Sequence, residues 1–264
     1  MPRIELTLSD EARASLAARP RVWVKAELRY KDQVLRDVGV RLKGHRSMRR
    51  LADQKPSIKI RTDKFVDGQV FFGLSRLTLN AMVEDPTLVR ETLGYRLYRE
   101  MGVPAPDTGF AELVIDGELY GLYLWVENVD QSFFDRRFGN HDGVLYEGEY
   151  GCDLYLDDVD GFERDLGPKG RKDLRRLARA AGGPLPGLLG GPDALLDESV
   201  FAYLAVSAFL GDYDGYRHAH NYHLYFRPET GKWYFIPWGI DRVFQKRLDA
   251  LRLERAGGQA VLCR

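Results

Sequence analysis

The segment GDYDGYRHAHNYHLYFRPETGKWYFIPWGID, residues 211–241, determines how we interpret this chain. It gathers acidic residues, an asparagine and histidines around two predicted strands. Asn221 follows Asp214 by seven residues, and Asp241 lies beyond the predicted hairpin. Carboxylate and amide oxygens are the hard ligands that Mg²⁺ accepts in proteins. The set is therefore typical of a site that holds Mg·ATP for phosphoryl transfer, in combination with a lysine supplied from elsewhere in the chain.

Composition limits the classes of partner. The 264 residues contain 39 Lys and Arg against 39 Asp and Glu, so no global field attracts nucleic acid or a membrane surface. No window approaches the ~20 apolar residues of a membrane span, and residues 1–16 lack the layout of a secretion signal. We expect no nucleic-acid partner and no membrane partner. The two cysteines, Cys152 and Cys263, show no metal-binding spacing and are interpreted as ordinary thiols.

The first half of the chain reads mainly as strands. Alternating patterns at 21–30 and 34–43 predict a hairpin, and 55–61 predicts a third strand. In that third strand, Lys59 points away from the face that carries its two isoleucine neighbours. Taken alone, Lys59 is more simply explained as a solvated lysine on an edge strand.

A helix with clear boundary signals follows. Asp85 is a natural N-cap, and Gly102 supplies a stop. Apolar residues recur every four positions and predict a buried stripe, made of Val89, Leu93, Leu97 and Met101. Glu91 lies on the opposite face, either as a partner for Lys59 or simply as a complement to the helix dipole.

The organisation changes near residue 130. Before it, the Asp116-Gly117 pair predicts a type I′ hairpin turn. After it, helices are predicted at 131–138, 171–181 and 198–211, the last capped by Asp197 and leading into the acidic segment. The prediction is a strand-rich domain at 1–130 and a mainly helical domain at 131–264 with one late hairpin. No Gly-rich GxGxxG loop, HRD or DFG motif is present, which excludes a standard protein kinase.

Five blocks of the chain resemble the CotH kinase family in the same order. They are VGVRLKG (38–44), KPSIKI (55–60), DPTLVRETLGYRLYREMGVPAP (85–106), LYGLYLWVENVD (119–130) and HNYHLYFRPETGKWYFIPWGID (220–241). The resemblance implies an α+β, atypical protein-kinase-like fold with two lobes: an antiparallel β-rich N-lobe with one helix, and a mainly helical C-lobe. It also implies transfer of the γ-phosphate of ATP, with Mg²⁺ or Mn²⁺, to Ser or Thr of spore-coat or surface proteins. The expected location is cytoplasmic or spore-associated unless a leader has been removed, and the C-terminus is a candidate for truncation.

The resemblance assigns roles to individual residues. Lys59 corresponds to the phosphate-contacting lysine, and Glu91 to its ion-pair partner. Asp214 corresponds to the catalytic aspartate, and Asn221 and Asp241 to the metal ligands.

It also assigns nucleotide contacts. Gly44, His45 and Ser47 lie in the loop expected to cover the nucleotide, and Glu127 and Val129 lie where adenine should bind. Three clustered arginines either contact triphosphate oxygens or an acidic substrate, or form a solvated loop; they are Arg46, Arg49 and Arg50.

Several alternatives stay open. Asp212 competes with Asp214 as the catalytic base. His218, His220 and His223 suggest a zinc hydrolase with Asp212 or Asp241 as a further ligand, although on a strand His220 would point away from His223. Two further functions also fit the sequence: another ATP-dependent transfer such as adenylylation, and an inactive ATP-binding scaffold.

Overall fold

A computed structural model describes residues 1–44, 48–52, 55–184, 187–189, 194–245, 260 and 262. The chain divides into two compact units. The first unit comprises Met1–Leu88 and Asp107–Phe133, and the second comprises Val89–Pro106 and Phe134–Arg264. Among the described helices, none combines the length and apolar character needed to cross a membrane.

The first unit is a closed barrel of seven strands in the order β1-β2-β3-β4-β5-β7-β6. Neighbouring strands are antiparallel, except that β1 and β6 pair in parallel and close the barrel. A short helix, α1, lies between β1 and β2 in the sequence. The bounds are β1 Arg3–Leu8, α1 Asp10–Ala18, β2 Val24–Tyr30, β3 Gln33–Lys43, β4 Ser57–Arg61, β5 Arg76–Asn80, β6 Thr108–Ile115 and β7 Glu118–Val126.

Alternation along the strands fills the barrel with apolar side chains. Ile58 and Ile60 of β4 are buried in this core, while Lys59 between them is half-buried on the other face. The predicted strand and its alternation are confirmed. However, β4 is bonded to β3 and β5 on its two sides, so Lys59 does not lie on an edge strand.

The predicted hairpin turn at Asp116-Gly117 is confirmed. Both residues have positive φ, 50° and 82°, as a type I′ turn requires. Asp116 also anchors β1, because its carboxylate accepts a 2.7 Å hydrogen bond from the Leu8 N–H and pairs with Arg13. The turn of one hairpin is thus fastened to the strand that closes the barrel.

The second unit contains a four-stranded antiparallel sheet in the order β11-β10-β8-β9. Helix α3 carries the chain into this unit, and α2, contributed by the insertion at 89–106, packs with α5. The bounds are α2 Arg90–Glu100, α3 Gln131–Phe138, β8 Val144–Gly148, β9 Phe162–Leu166, α4 Lys172–Ala181, α5 Ser199–Leu210, β10 Tyr222–Arg227 and β11 Lys232–Pro237.

The prediction of a two-lobe kinase-like fold with a mainly helical second lobe is wrong. The described chain is β-rich and poor in helix, with a closed barrel in place of the expected N-lobe sheet. Strands β8 and β9 were missed because each is only five residues long, and β8 is also buried on both faces at its start, so it lacks a clean period of two. The first strand and helix, Arg3–Leu8 and Asp10–Ala18, were also not predicted.

The predicted burial of α2 is inverted. Val89, Leu93 and Met101 are 40–53% exposed, whereas the face that carries Glu91 is buried together with Tyr95 and Tyr98. Asp85 is not the N-cap, because the helix begins at Arg90 and the Asp85 carboxylate instead binds the Thr87 N–H at 2.9 Å. The tyrosines explain the inversion, since they bury large rings that a stripe of aliphatic residues does not reveal.

Candidate metal and catalytic site

The acidic segment begins where α5 ends. Gly211 adopts a left-handed conformation (φ 60°, ψ 40°) and closes the helix through its N–H to the Ala208 carbonyl. Three residues beyond the far end of the segment, the Phe244 N–H bonds to the Leu210 carbonyl at 2.9 Å. Both ends of the segment are therefore held at the C-terminus of one helix.

Asp212 is the most deeply buried carboxylate of the segment. It is 4% exposed, and its Oδ2 has no hydrogen-bond partner among the described residues. Burial, and then the negative charges of Asp214 and Asp241, raise the pKa of Asp212 to about 7. A carboxylate in this position is destabilised when it is ionised, unless a cation neutralises it.

Gly215 makes room for that carboxylate. A Cβ at Gly215 would lie 2.2 Å from Asp212 Oδ2 and 2.7 Å from its Cγ, which no real side chain can tolerate. The φ of Gly215 is −99°, so the requirement for glycine is steric and does not arise from backbone strain. The sequence signal was present in the Asp-Tyr-Asp-Gly order, but alone it reads as a turn.

Asp214 has an environment opposite to that of Asp212. Burial would raise its pKa, but hydrogen bonds from His220 and Asn221 and the charges of His220 and Arg242 lower the pKa below its ordinary value. His220 Nδ1 lies 3.2 Å from Asp214 Oδ1. Asp214 is therefore ionised at neutral pH and oriented by an imidazole, as a proton acceptor requires.

Asn221 is held next to the segment that carries Asp241. Its side-chain amide donates to the Gly239 carbonyl at 3.4 Å, and its backbone carbonyl accepts from the Trp238 N–H at 3.1 Å. Its φ of 49° is a left-handed value that asparagine tolerates better than most residues. Gly239 in turn donates its N–H to the Tyr95 hydroxyl at 3.0 Å, which ties this turn to α2.

The buried Tyr95 connects Glu91 to the acidic segment. Burial raises the pKa of Tyr95 well above its usual value, and the negative charges of Glu91, Asp241 and Asp212 raise it further. The carboxylates of Glu91, Asp241 and Asp212 therefore all lie close enough to Tyr95 to act on its hydroxyl electrostatically. No role was assigned to Tyr95 from the sequence.

The donor set fits a hard divalent cation. Asp212, Asp214 and Asp241 interact electrostatically, and Asn221 adds an amide oxygen. Mg²⁺ and Mn²⁺ bind such oxygens. Asp212 Oδ2, buried and without a hydrogen-bond partner in the described chain, is the group that most needs such a cation.

Comparison with known proteins identifies the family. The model of the CotH kinase protein family matches residues 40–173 and 195–259. The chain belongs to the CotH kinase protein family. The resemblance inferred from the five sequence blocks is therefore confirmed.

The relatives are spore-coat and invasin proteins by name. The chain is 26% identical over 202 residues to inner spore coat protein H of Bacillus subtilis, an alignment that covers 72% of this chain and 55% of that protein. It is 27% identical over 192 residues to Invasin CotH3 of Rhizopus delemar, covering 65% of this chain and 32% of that protein. The chain thus spans about half the length of inner spore coat protein H and about a third of the invasin.

The phosphate-contacting lysine and its ion-pair partner, as the CotH resemblance assigns them, lie in different units. Lys59 is in the barrel of the first unit, on β4 between Arg41 and Thr78 of the neighbouring strands. Glu91 is in the second unit, with the acidic segment. Their roles in nucleotide binding stay predictions.

Of the expected nucleotide contacts of the CotH chain, Gly44, Glu127 and Val129 lie in the first unit. Gly44 has φ 131°, and its carbonyl accepts a 2.8 Å bond from Arg21. His45 and Ser47 lie outside the described residues. Glu127 is buried and its carboxylate accepts from the Asp107 N–H at 2.9 Å.

Val129, two residues after Glu127, is also buried. Two of the three clustered arginines bond to the protein's own carbonyls. Arg49 donates to the Met48 carbonyl at 3.2 Å, and Arg50 donates to the Ala17 carbonyl. Arg46 lies outside the described residues.

The histidines have three different environments in the described structure. His218 packs on the Tyr213 ring with centroids 4.2 Å apart, and His220 bonds to Asp214. His223 lies on β10, opposite Glu147 of β8. The arrangement does not favour a joint zinc site made of all three.

Proposed function

We propose that this member of the CotH kinase family transfers the γ-phosphate of ATP to Ser or Thr of a protein substrate, with Mg²⁺ or Mn²⁺ as the metal. The observation that carries the proposal is the buried Asp212 carboxylate beside Asp214 and Asp241, with an oxygen that accepts no hydrogen bond from the described residues. Such a group of like charges calls for a cation. Family membership makes Mg·ATP the cation complex to test first.

The second unit supplies the groups for transfer. Asn221 and Asp241 would hold the metal, which neutralises phosphate charge when bound. Asp212 supports that site through its negative potential. Lys59, Glu91, Gly44, His45, Ser47, Glu127 and Val129 keep the nucleotide-binding roles that the resemblance assigns them.

Asp214 acts as the proton acceptor in this proposal. Its pKa is low enough to keep it ionised at neutral pH, and His220 fixes its orientation. The hydroxyl oxygen of the substrate attacks the γ-phosphorus as its proton passes to Asp214. The bond between the γ-phosphorus and the β–γ bridging oxygen breaks, and ADP leaves with that electron pair.

The direct test uses ATP labelled at either the α- or the γ-phosphate with a Ser/Thr-rich protein and Mg²⁺. We expect transfer of the γ-label, and Asp214→Asn should lower the rate by about 100-fold or more. Asp157→Asn, which removes an exposed carboxylate, is the matched control and should leave the rate unchanged. Transfer of the α-label would replace the proposal by nucleotidylation, and no transfer of either label would favour a non-catalytic ATP-binding protein.

Metal binding is measured separately by thermal unfolding. We expect Mg·ATP to raise the melting temperature of the wild type and of Asp157→Asn, because a ligand that binds only the folded state stabilises it. Asp241→Asn should lose most of this shift, because it removes a proposed ligand. An equal shift in Asp241→Asn would exclude Asp241 as a metal ligand.

A further inference from the structure

A second group of metal-ligating side chains lies on the sheet of the second unit. Glu147 of β8, Asp165 of β9 and His223 of β10 each offer a ligand atom, and these atoms all lie within 4.8 Å of one another. Three adjacent strands each contribute one residue. None of the three belongs to the proposed Mg·ATP set.

The register of the sheet brings these residues together. His223 and Glu147 are direct cross-strand partners in the antiparallel β10–β8 pair. Between β8 and β9, Leu145 pairs with Leu166 but Tyr146 pairs with Arg164, so Asp165 is the extra residue of a β-bulge. A bulge redirects a side chain relative to regular pleating, and such bulges are frequent near functional sites.

The ligand chemistry favours a transition-metal ion over Mg²⁺. One imidazole nitrogen and two carboxylate oxygens match a three-residue protein ligand set for Zn²⁺ that leaves a fourth position open. Donors bound to one Zn²⁺ at ~2.1 Å in a tetrahedron lie roughly 3.4 Å apart. The largest separation in the cluster, up to 4.8 Å, would have to shorten by about 1.4 Å to reach this spacing, which side-chain rotation of the two carboxylates can provide.

The imidazole is the fixed element of this cluster. His223 is 4% exposed, lies on a strand bonded on both sides, and packs beside the Trp238 ring with centroids 5.6 Å apart. The carboxylates lie nearer the surface. A buried, oriented imidazole with two outer carboxylates provides both rigidity and an entry path for an ion.

We propose that Glu147, Asp165 and His223 form a Zn²⁺ site that cross-links β8, β9 and β10. The site is independent of the proposed phosphoryl transfer, which uses Asp214, Asn221 and Asp241. A bound ion would connect the outer strand β9 to the centre of the sheet. The expected consequence is metal-dependent stability of the second unit.

Zn²⁺ binding is measured by competition with a chromophoric indicator. The measurement uses the Asp241→Asn variant, so that Zn²⁺ binding at the proposed Mg²⁺ site is weakened. We expect one equivalent of Zn²⁺ to bind, and Co²⁺ to give the visible absorption of a four-coordinate site. Glu147→Gln and Asp165→Asn should each weaken binding at least tenfold. The same ion should raise the melting temperature of the unmutated protein.

Two matched controls separate this site from adventitious binding. Asp157→Asn removes an exposed carboxylate outside the cluster, and His141→Asn removes a surface histidine that pairs with Asp135. Both should bind Zn²⁺ within about threefold of the parent. His223→Asn should abolish binding, and the two carboxylate variants decide the question if that buried substitution does not fold.

The proposal is overturned if no Zn²⁺ binds, or if Glu147→Gln and Asp165→Asn bind as tightly as the controls. Either result would leave the cluster as a hydrogen-bonded polar group. Neither result bears on Mg·ATP, whose tests use Asp214 and Asp241. Conversely, failure of label transfer leaves the Zn²⁺ measurement unaffected.

Discussion

At the scale of single residues, Asp212 and Asp214 show how two carboxylates two positions apart acquire opposite properties. Asp214 has a histidine, an asparagine and an arginine nearby that favour its ionised form. Burial and the negative charges of two neighbouring carboxylates disfavour the ionised form of Asp212. Sequence spacing left the choice of base open, and these environments favour Asp214 because only it is ionised well below neutral pH.

Replacing Asp212 with Asn should stabilise the metal-free protein at pH 8. Its pKa is about 7 in the folded state and ~3.9 when unfolded, so the wild type loses stability as pH rises from about 4 to 7. The free energy of unfolding of the wild type falls by at most about 1.4 kcal/mol per pH unit over this range. Asp212→Asn has no carboxylate to ionise, so its stability does not fall for this reason. We expect a melting temperature roughly 5–10 °C above wild type at pH 8 and little difference at pH 4.

Thermal melts in chelator at both pH values check this, with Asp157→Asn as the control. A stabilisation that is the same at pH 4 and pH 8 would contradict the assigned pKa. Saturating Mg²⁺ should narrow the gap at pH 8, because the cation stabilises only the ionised wild type.

Gly215→Ala should disrupt the same site sterically. The new Cβ would overlap Asp212 Oδ2, so the carboxylate or the loop must move. We expect a loss of about 1–3 kcal/mol in the free energy of unfolding and loss of the thermal response to Mg·ATP. Gly187→Ala is the matched control, since nothing lies within 4 Å of its Cβ position, and denaturant unfolding of both variants gives the comparison.

At the scale of elements, the sequence period of α2 predicts that a helix forms, but packing against the rest of the chain determines which face of it is buried. The four-residue spacing correctly indicated a helix, and its end at Glu100 agrees with the glycine stop. The predicted buried face was wrong: Gly94 lies on the buried face with Tyr95 and Tyr98, and it packs so close to Ile240 that a Cβ would lie 2.7 Å from its Cδ1. That packing depends on residues far along the chain and is invisible in a local pattern.

The orientation of α2 predicts unequal effects for two truncations. Tyr98→Ala removes a fully buried ring that packs on Tyr203 with centroids 5.4 Å apart, and should cost about 3–5 kcal/mol. Leu93→Ala, at a side chain that is 48% exposed, should cost less than about 1 kcal/mol. Urea unfolding measures the loss of stability in both variants. A larger loss for Leu93→Ala than for Tyr98→Ala would support burial of the aliphatic face instead of the tyrosine face.

At the scale of the whole molecule, the local pieces were predicted better than their assembly. The hairpins at 24–43 and 108–126 and the helix Gln131–Phe138 follow from turn signals and periodicity. Closure of the barrel does not, because it depends on a parallel pairing between β1 and β6 that no turn specifies. Residues beyond 130 were predicted to be mainly helical with one hairpin, whereas the described part of this region also contains β8 and β9, which join that hairpin in a four-stranded sheet.

Asp116 tests how strongly barrel closure contributes to stability. Asp116→Ala leaves the buried Leu8 N–H without its acceptor, removes the Arg13 pair and places alanine at φ 50°. We expect a loss of about 2–3 kcal/mol in the free energy of unfolding. Asp116→Asn keeps a hydrogen-bond acceptor, and asparagine tolerates the positive φ, so this variant should cost about 1 kcal/mol or less. Chemical denaturation measures both variants. Equal losses of stability would show that the contacts of Asp116 with Leu8 and Arg13 do not stabilise the closed barrel.

The pairing of β1 with β6 also sets the order of events during synthesis. Arg3 and its partner Glu112 are 109 positions apart, so β1 emerges long before the strand that will cover its second side. Contacts of such separation form late and slow folding, since the intervening loop must close first. Until then the edge of β1 that pairs with β6 is unpaired in the nascent chain. Unpaired strand edges can pair with other chains and aggregate, and chaperones protect such surfaces.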